Sequence, residues 1–175
     1  SNTTASNNTA VGRDTAQNNT TGNSNAAFGY SAMAANTTAS DNTALGYIAM
    51  QDNTTGASNT AVGGGALADN TTASNNTAVG RLALRVNTTG AQNTAVGAFA
   101  GDAITTGSYN NLVGTNAGGA ITTANGNTAM GHTALNNTTT GVNSSFGYEA
   151  GYYITTGTSN TALGYQALKG TTDTT

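Results

Sequence analysis

Reactive side chains are scarce in this chain of 175 residues, and their spacing assembles little chemistry. His132 is the only histidine, Glu149 the only glutamate, and cysteine is absent. General acid/base work needs at least two titratable groups held together, and histidine or thiolate metal sites need a cluster. The sequence offers neither, so no catalytic residue, cofactor site or metal site is expected. Asp52 and Asp69 stand at equivalent positions of successive repeats. Two carboxylates alone hold a hard cation poorly, and solvated repulsion is the simpler reading. Gly63-Gly64-Gly65 lacks the Lys-Ser/Thr that a phosphate loop requires.

Binding chemistry is better represented than catalysis. Tyr30 and Tyr47 are separated by one repeat, as are Tyr148 and Tyr165. Each pair is expected to stack into an aromatic ladder able to hold a sugar ring or a partner protein, because a flat ring covers apolar area while its hydroxyl stays wet. Thr37, Thr54, Thr71 and Thr88 recur at the same interval, each followed by a second threonine. Regular hydroxyl arrays are one way to bind ice, although adjacent strand residues face opposite sides, so only one of the two columns is expected outside. Asn-Thr-Thr triplets at Asn2, Asn19, Asn36, Asn53, Asn70, Asn87 and Asn137 match a glycosylation sequon. Glycans on every rung would crowd, so a structural Asn column is expected instead.

The repeat behind these spacings has a period of seventeen. Glycine marks it from Gly12 through Gly63 and Gly80 to Gly131, then at Gly147 and Gly164 after a single deletion. Asparagine stands four positions before each of them, as at Asn59 and Asn76, and a large apolar residue directly before, as at Val62 and Val79. Such a period is too short for a helical hairpin or a propeller blade, which leaves one rung per repeat. Thr and Val favour strands, while Gly and Asn supply the backbone angles of corners. The predicted fold is all-β: a parallel β-solenoid of about ten rungs over residues 1–175, roughly 48 Å long at one strand spacing per rung.

Side-chain alternation suggests that the Val62 and Val79 column fills the interior and that Ala61 and its equivalents face outward. Ala66 and Leu67 are consecutive and apolar, which requires either a corner or a partner surface there. Where the Leu67-type residue becomes Gly101, Gly118 or Gly151, the residue three further on becomes Ile104, Ile121 or Ile154. Loss of one large side chain matched by gain of another implies a shared pocket. Arg85 and Asp102 also share a column and are expected to form an ion pair.

The motif Asn-Thr-Ala-Val-Gly-x-x-Ala resembles the Asn-Ser-Val-Ala-Ile-Gly-x-x-Ala repeat of trimeric autotransporter adhesin heads. The stretch from Gly114 to Ala124 is similar to repeats in phage tail fibres and large bacterial surface proteins. The resemblance covers nearly the whole chain and implies a left-handed β-roll, often trimeric, used for extracellular display and adhesion. A net charge of −3 provides no basic surface for nucleic acid, and no apolar stretch is long enough to span a membrane. Any targeting or attachment element is expected outside this segment or on another subunit. The expected protein is therefore an extracellular, cell-surface or virion fibre segment. Its expected partners are itself, as a head-to-tail filament or homotrimer, and a host-surface glycan or protein.

Overall fold

The structure, a computed structural model, describes residues 4–170. Ten short strands succeed one another: β1 (Thr9–Val11), β2 (Ala26–Phe28), β3 (Thr43–Leu45), β4 (Thr60–Val62), β5 (Thr77–Val79), β6 (Thr94–Val96), β7 (Asn111–Val113), β8 (Thr128–Met130), β9 (Ser144–Phe146) and β10 (Thr161–Leu163). They form one parallel sheet in sequence order, each residue pairing with its equivalent one repeat later, Thr60 with Thr77 and Val62 with Val79. One repeat is one rung of a β-solenoid. The deletion falls between β8 and β9, whose register is kept, with Thr128 opposite Ser144.

Corners are made by backbone in the left-handed region. Three columns of mostly non-glycine residues take it, represented in one repeat by Asn75, Leu82 and Leu84 at φ 62°, 58° and 49°. The invariant glycine is more restricted still. Gly63 has φ 133°, and a Cβ there would lie 2.5 Å from the carbonyl oxygen of Gly80 in the next rung. Both backbone angle and rung spacing therefore demand glycine at this position.

The interior is lined by the alanines, which reverses the expectation for the Val62 and Val79 column. Ala61, Ala78 and Ala95 are completely buried at the centres of their strands, whereas Val62 and Val79 are half-buried on the outside. Val11, Leu45, Met130 and Leu163 are exposed. The reason is parity. Asn59 and Asn76 are buried, so two residues on, Ala61 and Ala78 must also point inward, and Val62 and Val79 outward.

Two asparagine columns take the place of hydrophobic volume inside. In the first, the backbone N–H of Asn76 donates to Asn59 Oδ1 at 2.9 Å, while Asn59 Nδ2 donates to the Ala73 carbonyl at 2.8 Å. In the second, Asn36, Asn53, Asn70 and Asn87 each donate through Nδ2 to the amide oxygen of the preceding Asn, at 2.7–3.4 Å. The columns converge, because Asn70 Nδ2 also donates to the Ala73 carbonyl. The sequon asparagines Asn36, Asn53, Asn70 and Asn87 are completely buried and bonded, in keeping with a structural column. Asn2 lies outside the described residues.

Ala66 and Leu67 are both fully buried because a corner separates them, with Leu67 at φ 49°. The Gly/Ile exchange does share one pocket: a Cβ added at Gly101, Gly118 or Gly151 would lie 3.1, 2.9 or 3.0 Å from the Cδ1 of Ile104, Ile121 or Ile154. Leu112 replaces the inward alanine on β7 and projects into the same space, toward both Gly101 and Gly118.

Candidate aromatic surface ladder

The residue after each invariant glycine leaves the sheet at a corner, and where it is Arg, Tyr, Thr or His it is exposed to solvent. Parallel pairing repeats that position once per rung, so equivalent rings lie above one another. Tyr30 and Tyr47 stack with centroids 5.5 Å apart and planes 14° from parallel. Tyr148 and Tyr165 stack at 5.4 Å and 13°. Both expected pairs are therefore present. The separations exceed face-to-face contact and correspond to offset stacking.

Each pair is longer than the tyrosines alone suggest. His132 stacks on Tyr148 at 5.2 Å and 8°, making a three-ring ladder with Tyr165. Its Nδ1 lies 3.2 Å from the Thr133 hydroxyl. At the other ladder the Arg13 guanidinium sits over Tyr30, 5.8 Å from the ring centroid. Both extensions occupy the same repeat position as the tyrosines, so the column alignment alone could have found them. Of the four ladder tyrosines, Tyr47 and Tyr165 are the most exposed, at 61 % and 73 %.

The second ladder has a polar border. Glu149 pairs with Lys169 and accepts a hydrogen bond from Gln166 Nε2 at 2.8 Å. The bonds from Lys169 and Gln166 hold its carboxyl below the usual carboxylate range, and the same pairing raises the Lys169 ammonium. A carboxylate, an ammonium and a row of flat rings thus share one surface. Such a surface can stack on and hydrogen-bond to a ligand.

The threonine columns depart from expectation. Thr37, Thr54, Thr71 and Thr88 are half-buried and the following threonines exposed, so both columns lie on the outside. The segment is a bend rather than a strand, and strand alternation does not apply to it. Each hydroxyl of the first column donates to the backbone carbonyl of the next rung, Thr37 to Thr54 at 3.1 Å and Thr54 to Thr71 at 3.0 Å. Their donors are thus used along the axis.

Arg85 and Asp102 do not form the expected contact pair; among the described residues the ion pairs are Arg13–Asp14 and Lys169–Glu149. Partial burial raises the Asp102 carboxyl, and Arg85 offsets this only by attraction at a distance. No group of three or more His, Asp or Glu side chains able to hold a metal occurs among the described residues. No helix among them is long and apolar enough to cross a membrane. Comparison with protein families, characterised proteins and solved structures returns no match.

Proposed function

We propose that the chain is a structural or adhesive segment of an extracellular fibre or surface appendage, assembling with copies of itself. The observation that carries this reading is the outer face of the sheet. Its two outward columns, the Thr60 type and the Val62 type, contain no charged residue from β1 to β10. Val11, Phe28, Leu45, Val96, Met130 and Leu163 are all exposed along it. Nine strand spacings make this uncharged stripe roughly 43 Å long, and its apolar column beside a column of mostly hydroxyl side chains is a surface of the kind that marks interaction sites. Copies packed through it would bury the valine column, and the stacked tyrosines at the adjoining corner would stay available to a glycan or protein partner.

Native mass measurement with electron microscopy tests the assembly. The expected result is a discrete oligomer or filament, disrupted by Val79→Lys in the middle of the stripe. A dispersed monomer at high concentration contradicts the proposal. A glycan array tests adhesion separately.

The rival reading is ice binding through the columns of Thr37, Thr54, Thr71 and Thr88. Two adjacent outward hydroxyl columns favour it, while the use of the first column's donors within the solenoid weighs against it. Thermal hysteresis that is abolished by Thr55→Lys and Thr72→Lys would favour ice binding over scaffolding.

A further inference from the structure

The first aromatic ladder is interrupted, and the interruption has the dimensions of a site. Above Tyr47 the column continues not with a ring but with Gly64, followed by Arg81 one rung further. Gly65 likewise interrupts the neighbouring column between Ile48 and Leu82. Together the two glycines open a cavity of about 290 Å³ lined by Tyr47, Ile48, Gly64, Gly65, Arg81 and Leu82. An added Cβ at Gly64 would meet no atom within 4 Å, whereas one at Gly65 would meet Leu82 Cδ2 at 2.5 Å. Leu82 therefore supplies the floor, and the space over Gly64 is open.

We propose that this notch binds a small aromatic acid, a single flat ring carrying a carboxylate, between Tyr47 and Arg81. One face of Tyr47 is covered by Tyr30 in an offset stack at 5.5 Å. A ring over Gly64 at the same step would cover the other face and continue the ladder into the vacant rung. The volume lies at the lower end of ligand pockets, which suits one ring rather than a fused system. Ile48 and Leu82 give the notch apolar walls with few hydrogen-bonding groups, which favours an aromatic ring over a sugar.

Charge selects the substituent. Arg81 is the only charged residue lining the notch, and its guanidinium is held over the Phe99 ring, 5.0 Å from the centroid. Among the described residues no carboxylate forms an ion pair with it. A planar guanidinium without an acidic partner is suited to a planar carboxylate.

The test is an NMR titration of the full chain, labelled at Ile and Leu methyls, with 4-hydroxybenzoate. Saturable shifts are expected at Ile48 and Leu82 but not at Leu135, which is buried in another rung. p-Cresol, which lacks the carboxylate, is expected to bind about tenfold more weakly, and Arg81→Gln should remove that difference. Gly64→Tyr should abolish binding while keeping the fold, because tyrosine occupies this backbone position at Tyr30 and Tyr47. Should that variant fail to fold, Gly64→Leu fills the notch in the same way. The proposal is overturned by non-saturating shifts, by p-cresol binding equally well, or by binding that survives the filled notch. Glucuronate binding as tightly as 4-hydroxybenzoate would overturn the aromatic assignment in favour of a sugar acid.

Discussion

The corner that follows the inward alanine is built in two ways in this molecule. From Met33 to Leu84 a bulky residue sits in the left-handed region, with φ 49–53°, and a buried Asn three positions later joins the amide ladder. At Gly101 and Gly118 a glycine takes the strained conformation, with φ 57° and 66°, and Ile104 or Ile121 fills the volume. The first solution keeps a large side chain at about 1–2 kcal/mol of backbone cost and gains hydrogen bonds. The second relieves that strain and gives up the ladder. Where they meet, Asn87 Oδ1 is left without a partner, because the next residue in its column is Ile104 and not an asparagine donor. A periodic array can therefore change its packing from rung to rung provided that volume and hydrogen bonding change together.

The largest expected effect comes from exchanging the interiors of the two regions. Leu112→Ala should cost about 2–5 kcal/mol in chemical denaturation, because Leu112 fills the space over both Gly101 and Gly118. The reverse change, Ala78→Leu, should cost about 1–3 kcal/mol by overpacking against the filled corners of Leu67 and Leu84. Similar tolerance of leucine at both positions would remove the distinction between the regions.

A smaller difference is expected within the ladder. Asn70→Ala removes the donor to Asn53 Oδ1 at 2.7 Å and the acceptor of Asn87, and should cost about 1–3 kcal/mol. Asn87→Ala should cost less, since its own oxygen already lacks a donor and its bond to Asn70 is long at 3.4 Å. Equal losses in melts of the two variants would mean that the ladder does not end at Asn87.

The smallest effect concerns charge at the glycine corner. Burial raises the Asp102 carboxyl, so ionised Asp102 destabilises the fold at neutral pH. Asp102→Asn should raise the melting temperature slightly at pH 7. As pH falls through the raised folded value and then below the ordinary 3.8, wild-type Asp102 takes up its proton and the advantage should vanish. An advantage that grows on acidification would reverse the sign of this account.

Periodicity made the solenoid, its strand positions, the stacked tyrosines and the Gly/Ile compensation legible, because parallel pairing converts sequence spacing directly into contact. It left the inward face misassigned. Hydrophobicity favours valine for the inside, but the short strand takes its parity from Asn59, whose burial is decided by hydrogen bonds in the next rung. Variation held the missing signal: the exposed column accommodates Val, Phe, Leu and Met, whereas the buried one is alanine except at Leu112 and Ser145. The notch at Gly64 was visible only as a triple glycine. Its meaning depends on Tyr47 and Arg81, which flank the gap one repeat to either side.

The most direct test of the two-corner account is a double-mutant cycle that moves the boundary by one rung, combining Leu84→Gly with Asn87→Ile. Leu84→Gly alone should be strongly destabilising, because the emptied pocket outweighs the relieved backbone strain. Asn87→Ile alone should crowd Leu84 and leave Asn70 Oδ1 without its donor. The double variant should recover at least ~1 kcal/mol relative to the sum of the two losses, as expected for residues that occupy one volume. Strict additivity of the two changes in denaturation would contradict the shared pocket and the account built on it.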